Sequence, residues 1–224
     1  MKHHTRLLIA VLVPLAGGLL SVAPTSPATS AVTHPWTRED PSFPFRWNPC
    51  QPITYRVDLA GTPRRNLRVL RSALHDVSAA SGFRFVYAGH TAAVPYAKGR
   101  TTLDQVPADG LTVAWATPQR VPDLAGHVVG LGGPGASSRR VGADWEIESA
   151  GVVIDKTAVL PATAVKGPNL KSLLLHELGH AMGLGHSRSK ADVMYPALGP
   201  WSRPRLGPGD KAGLHALGVS HSCS

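Results

Sequence analysis

Residues 176–186 read HELGHAMGLGH, and this stretch decides how the rest of the chain is read. After Gly167-Pro168, Asn169 offers a side-chain cap for a helix running from Leu170 to about Met182. On that helix His176 and His180 are four residues apart, so their side chains leave one face one turn apart. Two imidazoles so placed can reach a single zinc ion at ~2.0–2.1 Å. Glu177 adjoins the first histidine and can lean over the open position of such a metal. Gly183 can take a positive φ at low cost and so ends the helix. The chain can then turn back and present His186 as a third ligand. Three protein ligands and one open position describe a catalytic zinc site, whereas a structural site is closed by four. HExxHxxGxxH adds a glycine and a histidine at fixed offsets, which a packed histidine core rarely reproduces.

The sequence upstream supplies a sheet. ITYRVDL at 53–59 alternates like a strand, with Ile53, Tyr55 and Val57 on one side. Thr62 as N-cap and Pro63 as first helical residue open a helix to about Ala80, with Leu67, Leu70, Leu74 and Val77 at helical spacing. FRFVYAG, LTVAWAT at 111–117, HVVGLGG at 127–133 and AGVVID at 150–155 are further strands. Residues 89–110 and the loop GPGASSRRVGAD are expected to be irregular, the loop also mobile. Pro208 and Asp210 open a last helix ending near Gly218. The order β-α-β-β-β-β-α-loop-α predicts one α/β domain with a single sheet.

The chain has 224 residues, with 43% hydrophobic and 17% charged, which excludes a disordered polyelectrolyte. Its 23 glycines and 20 prolines show no collagen period, so they mark loops. Lys2, His3, His4 and Arg6 precede the apolar run Leu7–Leu20, which Pro14, Gly17 and Gly18 break and which is too short to span a bilayer. Small residues follow, with cleavage positions after Ala28 or Ala31. Residues 1–31 therefore read as a secretory signal peptide, 32–49 as an extended arm and 50–224 as the domain. Export makes a disulfide the expected state of Cys50 and Cys223, the two cysteines present. The net charge is +9, or +7 once Lys2 and Arg6 leave with residues 1–31. Its densest cluster is Arg64, Arg65, Arg68 and Arg71. The bland reading is a solvated helix face; the sharper one is attraction to an anionic wall or an acidic substrate. No nucleic-acid motif accompanies it.

With these residues in view, the chain resembles the metzincin metalloendopeptidases. Met194 follows His186 by eight residues within DVMYP, and resembles the methionine turn that supports the histidines from below. The Met194-Tyr195-Pro196 version is similar to the matrixin branch, to which the matrix metalloproteinases belong. ITYRVDL with its helix, and LGPGDKAGLHALG with Asp210 in its early position, are similar to the first and last matrixin elements. The resemblance implies a mixed, mostly parallel twisted sheet packed on two long helices, with a small C-terminal subdomain holding the methionine turn and final helix. It implies a zinc endopeptidase in which Glu177 is the general base and Tyr195-Pro196 wall the pocket for the side chain after the scissile bond. Val128, Val129, Gly130 and Leu131, in HVVGLGGPG, resemble the edge strand that binds peptide substrate. Pro196 stands where astacins and serralysins place a zinc-binding tyrosine.

No PRCGxPD-type switch precedes the domain, so Cys50 in NPCQP is a poor latency cysteine and an enzyme without an inhibitory prodomain is expected. One zinc is expected: His127 has no HxD partner for a structural zinc, and His90, His215 and His221 read as surface residues. Asp123, Asp144, Glu146, Glu148 and Asp155 could offer oxygens to calcium but form no recognised loop, so calcium is not assigned. The expected partner is a peptide or protein, with no nucleic acid, no membrane after signal cleavage, and a monomeric, secreted enzyme. The rival reading is a secreted basic protein, binding cell wall or polyanion, that retains a zinc site. Glu177 argues against it, since a structural site has no use for a carboxylate there.

Overall fold

The computed structural model of the chain describes residues 45–97, 107, 109–135, 139–141 and 144–219. Residues 1–31, most of the arm, Cys223 and His221 lie outside them.

Strand β1 is Phe45–Arg46 and β2 Ile53–Asp58, followed by helix α1, Arg64–Ser81. Thr62 does not cap α1. Pro63 occupies the cap position, without a side-chain hydrogen bond, and the Thr62 hydroxyl has no partner among the described residues. Gly82, at φ 77°, closes the helix in the left-handed conformation that glycine tolerates best. Next come β3 (Phe85–His90), β4 (Gly110–Ala116), a 3-10 turn at Pro122–Leu124, and β5 (Gly130–Pro134). β6 (Arg140–Val141), β7 (Asp144–Glu146) and β8 (Ser149–Asp155) precede α2 (Leu170–Ala181) and α3 (Pro208–Leu217).

Five strands form one sheet in the order β3-β2-β4-β8-β5. The first three pairings are parallel, and β5 joins β8 antiparallel, with Leu131 opposite Val153. The sheet is thus mixed and mostly parallel, and β5 forms one edge. β4 and β8 are buried along their whole length, as central strands covered on both faces must be. On one face Val57, Val113 and Ile154 pack with Leu70 of α1 and Leu174 and Leu178 of α2. On the other, Val121, Leu124, Leu131 and Val153 gather around Tyr96.

The expectation of a single sheet is incomplete. A second, three-stranded sheet has the order β1-β7-β6. It draws Phe45–Arg46 from the stretch read as an arm and Arg140–Val141 from the stretch read as a loop. Side chains hold it: the Arg139 guanidinium donates to both carboxylate oxygens of Glu146 at 3.0 and 2.9 Å, and Arg140 lies 4.0 Å over the Trp145 ring. No helix among the described residues is long and apolar enough to cross a membrane.

Candidate metal centre

Asn169 begins the site. Its side-chain oxygen accepts from Ser172 N at 2.9 Å, so α2 starts where the sequence predicts, and the helix is buried almost throughout. Met182 caps it, Gly183 takes φ 104°, and Leu184 N donates back to Gly179 O at 2.9 Å. This tight reversal returns His186 to the face carrying His176 and His180. The Nε2 of His180 lies 3.1 Å from that of His176 and 3.2 Å from that of His186. A tetrahedron with arms of ~2.0–2.1 Å has edges of about 3.3 Å, so the three nitrogens are spaced to share one zinc.

The far side of each helical histidine fixes its tautomer. His176 Nδ1–H donates to Val193 O at 2.5 Å, and His180 Nδ1–H to Leu184 O at 2.8 Å. Each ring therefore turns an unprotonated Nε2 inward, the form a metal needs. Burial lowers His176 to a pKa of about 4 and takes His180 well below its ordinary range, the latter helped by repulsion from the other two histidines. These are neutral imidazoles at physiological pH.

Glu177 is fully buried, and neither carboxylate oxygen has a hydrogen-bond partner among the described residues. Burial raises its pKa well above the ordinary carboxyl value. A cation held by the adjacent nitrogens would oppose that rise. The space beside it is made by β5. A Cβ on Gly130 would stand 2.8 Å from Glu177 Oε1, and one on Gly132 would overlap the Glu177 carbonyl oxygen. Val129 O accepts from Asp155 N at 2.9 Å, so Val129 continues the ladder beyond the strand proper, while Val128 and Leu131 are buried in the outer cluster.

Met194 is fully buried under α2, and a Cβ on Gly179 would overlap its sulfur. The turn carrying it is fastened from below. Asp210 accepts from Val193 N at 2.7 Å, Met194 N at 3.1 Å and Gly207 N at 2.7 Å. Burial carries its carboxyl up to about 6 against the pull of these donors. Asp192, which sequence reasoning missed, accepts from Ser187 Oγ at 2.6 Å and Gly209 N at 2.9 Å, tying the residue after His186 to α3. Its only sequence signal is an acid in a buried turn.

Tyr195 and Pro196 are partly exposed, and the Tyr195 ring meets Trp201 edge-on at 5.7 Å. A cavity of about 10 Å³, room for roughly one water, lies between Ser172, Val193, Leu198 and Trp201; Tyr195 and Pro196 do not line it. Among the described residues, His176, His180 and His186 are the one group of metal-binding side chains that converge. His90, His127 and His215 stand apart from that cluster. Cys50 is exposed, and its expected partner lies outside the described residues.

The sequence pattern described as matrixin matches residues 46–219. The chain is 40% identical to human matrix metalloproteinase-19 over 88 residues, 38% of this chain and 16% of that protein. It is 44% identical to metalloendoproteinase 4-MMP of Arabidopsis thaliana over 50 residues, 22% of this chain and 15% of that protein. A putative matrix metalloproteinase of Trichoplusia ni ascovirus 2c is 45% identical over 49 residues, 22% of this chain and 9% of that protein. The aligned stretches thus span about a sixth or less of the length of these relatives.

Proposed function

The chain belongs to the matrixin family, and from that premise we propose that it is a secreted zinc endopeptidase whose general base is Glu177. The observation that carries the reading is the convergence of three imidazole Nε2 atoms at 3.1 and 3.2 Å, beside a buried carboxylate with no hydrogen-bond partner among the described residues. The Nε2 atoms of His176 and His180, both left without a proton by the Nδ1–H bonds behind them, repel at that distance unless a cation lies between them.

His176, His180 and His186 hold one zinc. The chemistry supplied by the bound ion is Lewis acidity toward the scissile carbonyl and acidification of water. Glu177 takes a proton from the attacking water and delivers it to the leaving amine. The backbone of Val128–Leu131, at the sheet edge, orients an extended peptide by strand addition. Tyr195 and Pro196 flank the side chain that follows the scissile bond. Met194 supports the histidines by packing.

The same reading includes export by residues 1–31 and a Cys50–Cys223 disulfide, which the export signal and the single cysteine pair support. Non-reducing peptide mapping of secreted protein checks the pairing. The decisive experiment is digestion of a peptide library with mass-spectrometric readout, with and without a zinc chelator. Chelator-sensitive internal cleavage is expected; a zinc-loaded protein that cleaves nothing would return the rival reading of a wall-binding protein.

A further inference from the structure

The arginines of α1 take no part in the site above. Arg64, Arg65, Arg68 and Arg71 are all exposed, and none forms an ion pair among the described residues. The single acid of the helix, Asp76, lies 2.8 Å from Lys171 of α2. Arg64, Arg68 and Arg71 recur at i, i+4 and i+7, so they form one stripe about 10 Å long. Arg64 and Arg65 stand in the first turn, which holds no acid and no side-chain cap. Cations there oppose the helix dipole. A local choice that works against the helix is a sign of use.

The stripe borders a built groove. A cavity of about 430 Å³ is lined by Leu59, Thr62, Arg64, Leu67 and His90, giving an apolar floor and a basic rim. Arg71 lies 5.6 Å over the Tyr87 ring, which meets His90 edge-on at 6.2 Å, so stripe and groove are continuous.

We propose that this face is a second binding surface that captures acidic, partly apolar segments of polypeptide substrates. It rests on the endopeptidase reading and extends it from cleavage to substrate choice. Phosphate polymers match the arginines but have nothing to lay on Leu59 and Leu67. Nucleic-acid bases would seek an aromatic face, and Tyr87 is already packed against Arg71 and, at 5.2 Å, Tyr55. A polypeptide carries carboxylates and apolar side chains together.

The surface adjoins β3, the sheet edge opposite β5. Four strand spacings, about 20 Å, separate the edges, so at least about six extended residues must lie between cleavage site and acidic segment. The test compares a neutral hexapeptide substrate with the same peptide carrying a flexible ten-residue linker and a Glu/Leu tract. In the Arg64→Glu/Arg68→Glu/Arg71→Glu protein, KM for the extended substrate should rise about tenfold, with kcat and all hexapeptide kinetics unchanged. The added anion near the helix start favours α1, and an arginine-to-glutamine triple variant should give the same direction if the reversal misfolds. The wild-type preference should vanish near 1 M salt. Equal changes for both substrates, or no change, would overturn the proposal. Anisotropy of a labelled Glu/Leu peptide, with a zinc-directed inhibitor bound, keeps the two readings apart. An inert hexapeptide with arginine-dependent peptide binding overturns the endopeptidase and supports the surface. Arginine-dependent binding of an oligonucleotide or polyphosphate, with none of the Glu/Leu peptide, overturns the polypeptide assignment.

Discussion

Gly130 of β5 and Glu177 of α2 approach so closely that a Cβ on the glycine would stand 2.8 Å from the Glu177 carboxylate. One contact therefore couples the edge strand to the carboxylate proposed as general base. A methyl group there meets the far end of a side chain, which can swing, so the fold should survive. Gly130→Ala should keep one zinc per chain while kcat falls about ten- to a hundredfold, as a displaced base would cause. Metal analysis and cleavage rates on one preparation check this. Gly132→Ala is the contrast: its Cβ meets Glu177 backbone, and it should lose about 1–3 kcal/mol of stability.

In the proposed mechanism Glu177 serves chemistry and not metal retention. Glu177→Ala should bind zinc at close to one equivalent, because the three nitrogens remain. Hydrolysis should drop by at least ~10²–10⁴-fold, and Glu177→Gln comparably, since an amide cannot accept the proton. Wild-type cleavage by either zinc-loaded variant would remove the mechanism.

Much of this site was legible because its signals are local. The α2 cap at Asn169, the i, i+4 histidines and the break at Gly183 each act within one or two turns. What escaped depends on partners far along the chain. Gly179 looks like a weak helix residue until Met194, fifteen positions later, is seen beneath it. Asp192 gains meaning from Ser187 and from Gly209 on α3. Two-residue strands such as β1 and β6 carry no periodicity, and β6 rests beside the Arg139–Glu146 pair, which no spacing rule predicts. Thr62 failed as a cap because Pro63 takes that position.

Met194 and His186 should separate packing from ligation. Met194→Leu nearly conserves volume under α2 and should keep most activity, at a stability cost below about 1.5 kcal/mol. His186→Ala removes one of the three converging nitrogens and should lose nearly all activity, with weaker zinc retention on dialysis. Equal losses in both variants would show that the methionine does more than pack.

Asp210 makes a pH prediction with a definite sign. Burial raises its carboxyl from 3.8 to about 6 in the folded protein, so between those values the folded state holds a proton that the unfolded state has released. Its contribution is fully present below pH ~4 and declines as pH rises through ~6, by about 3 kcal/mol in all. Asp210→Asn cannot ionise and should lack this decline. Its amide keeps one acceptor oxygen, which can serve Val193 N and Gly207 N, but turns an N–H toward Met194 N, and so it should be less stable at pH 7 by about 2 kcal/mol. Denaturant unfolding of both proteins at pH 4, 5, 6 and 7 measures the difference in slope, in which the histidine ligands cancel. Parallel stability curves would mean that Asp210 is ionised throughout, with its three donors outweighing its burial.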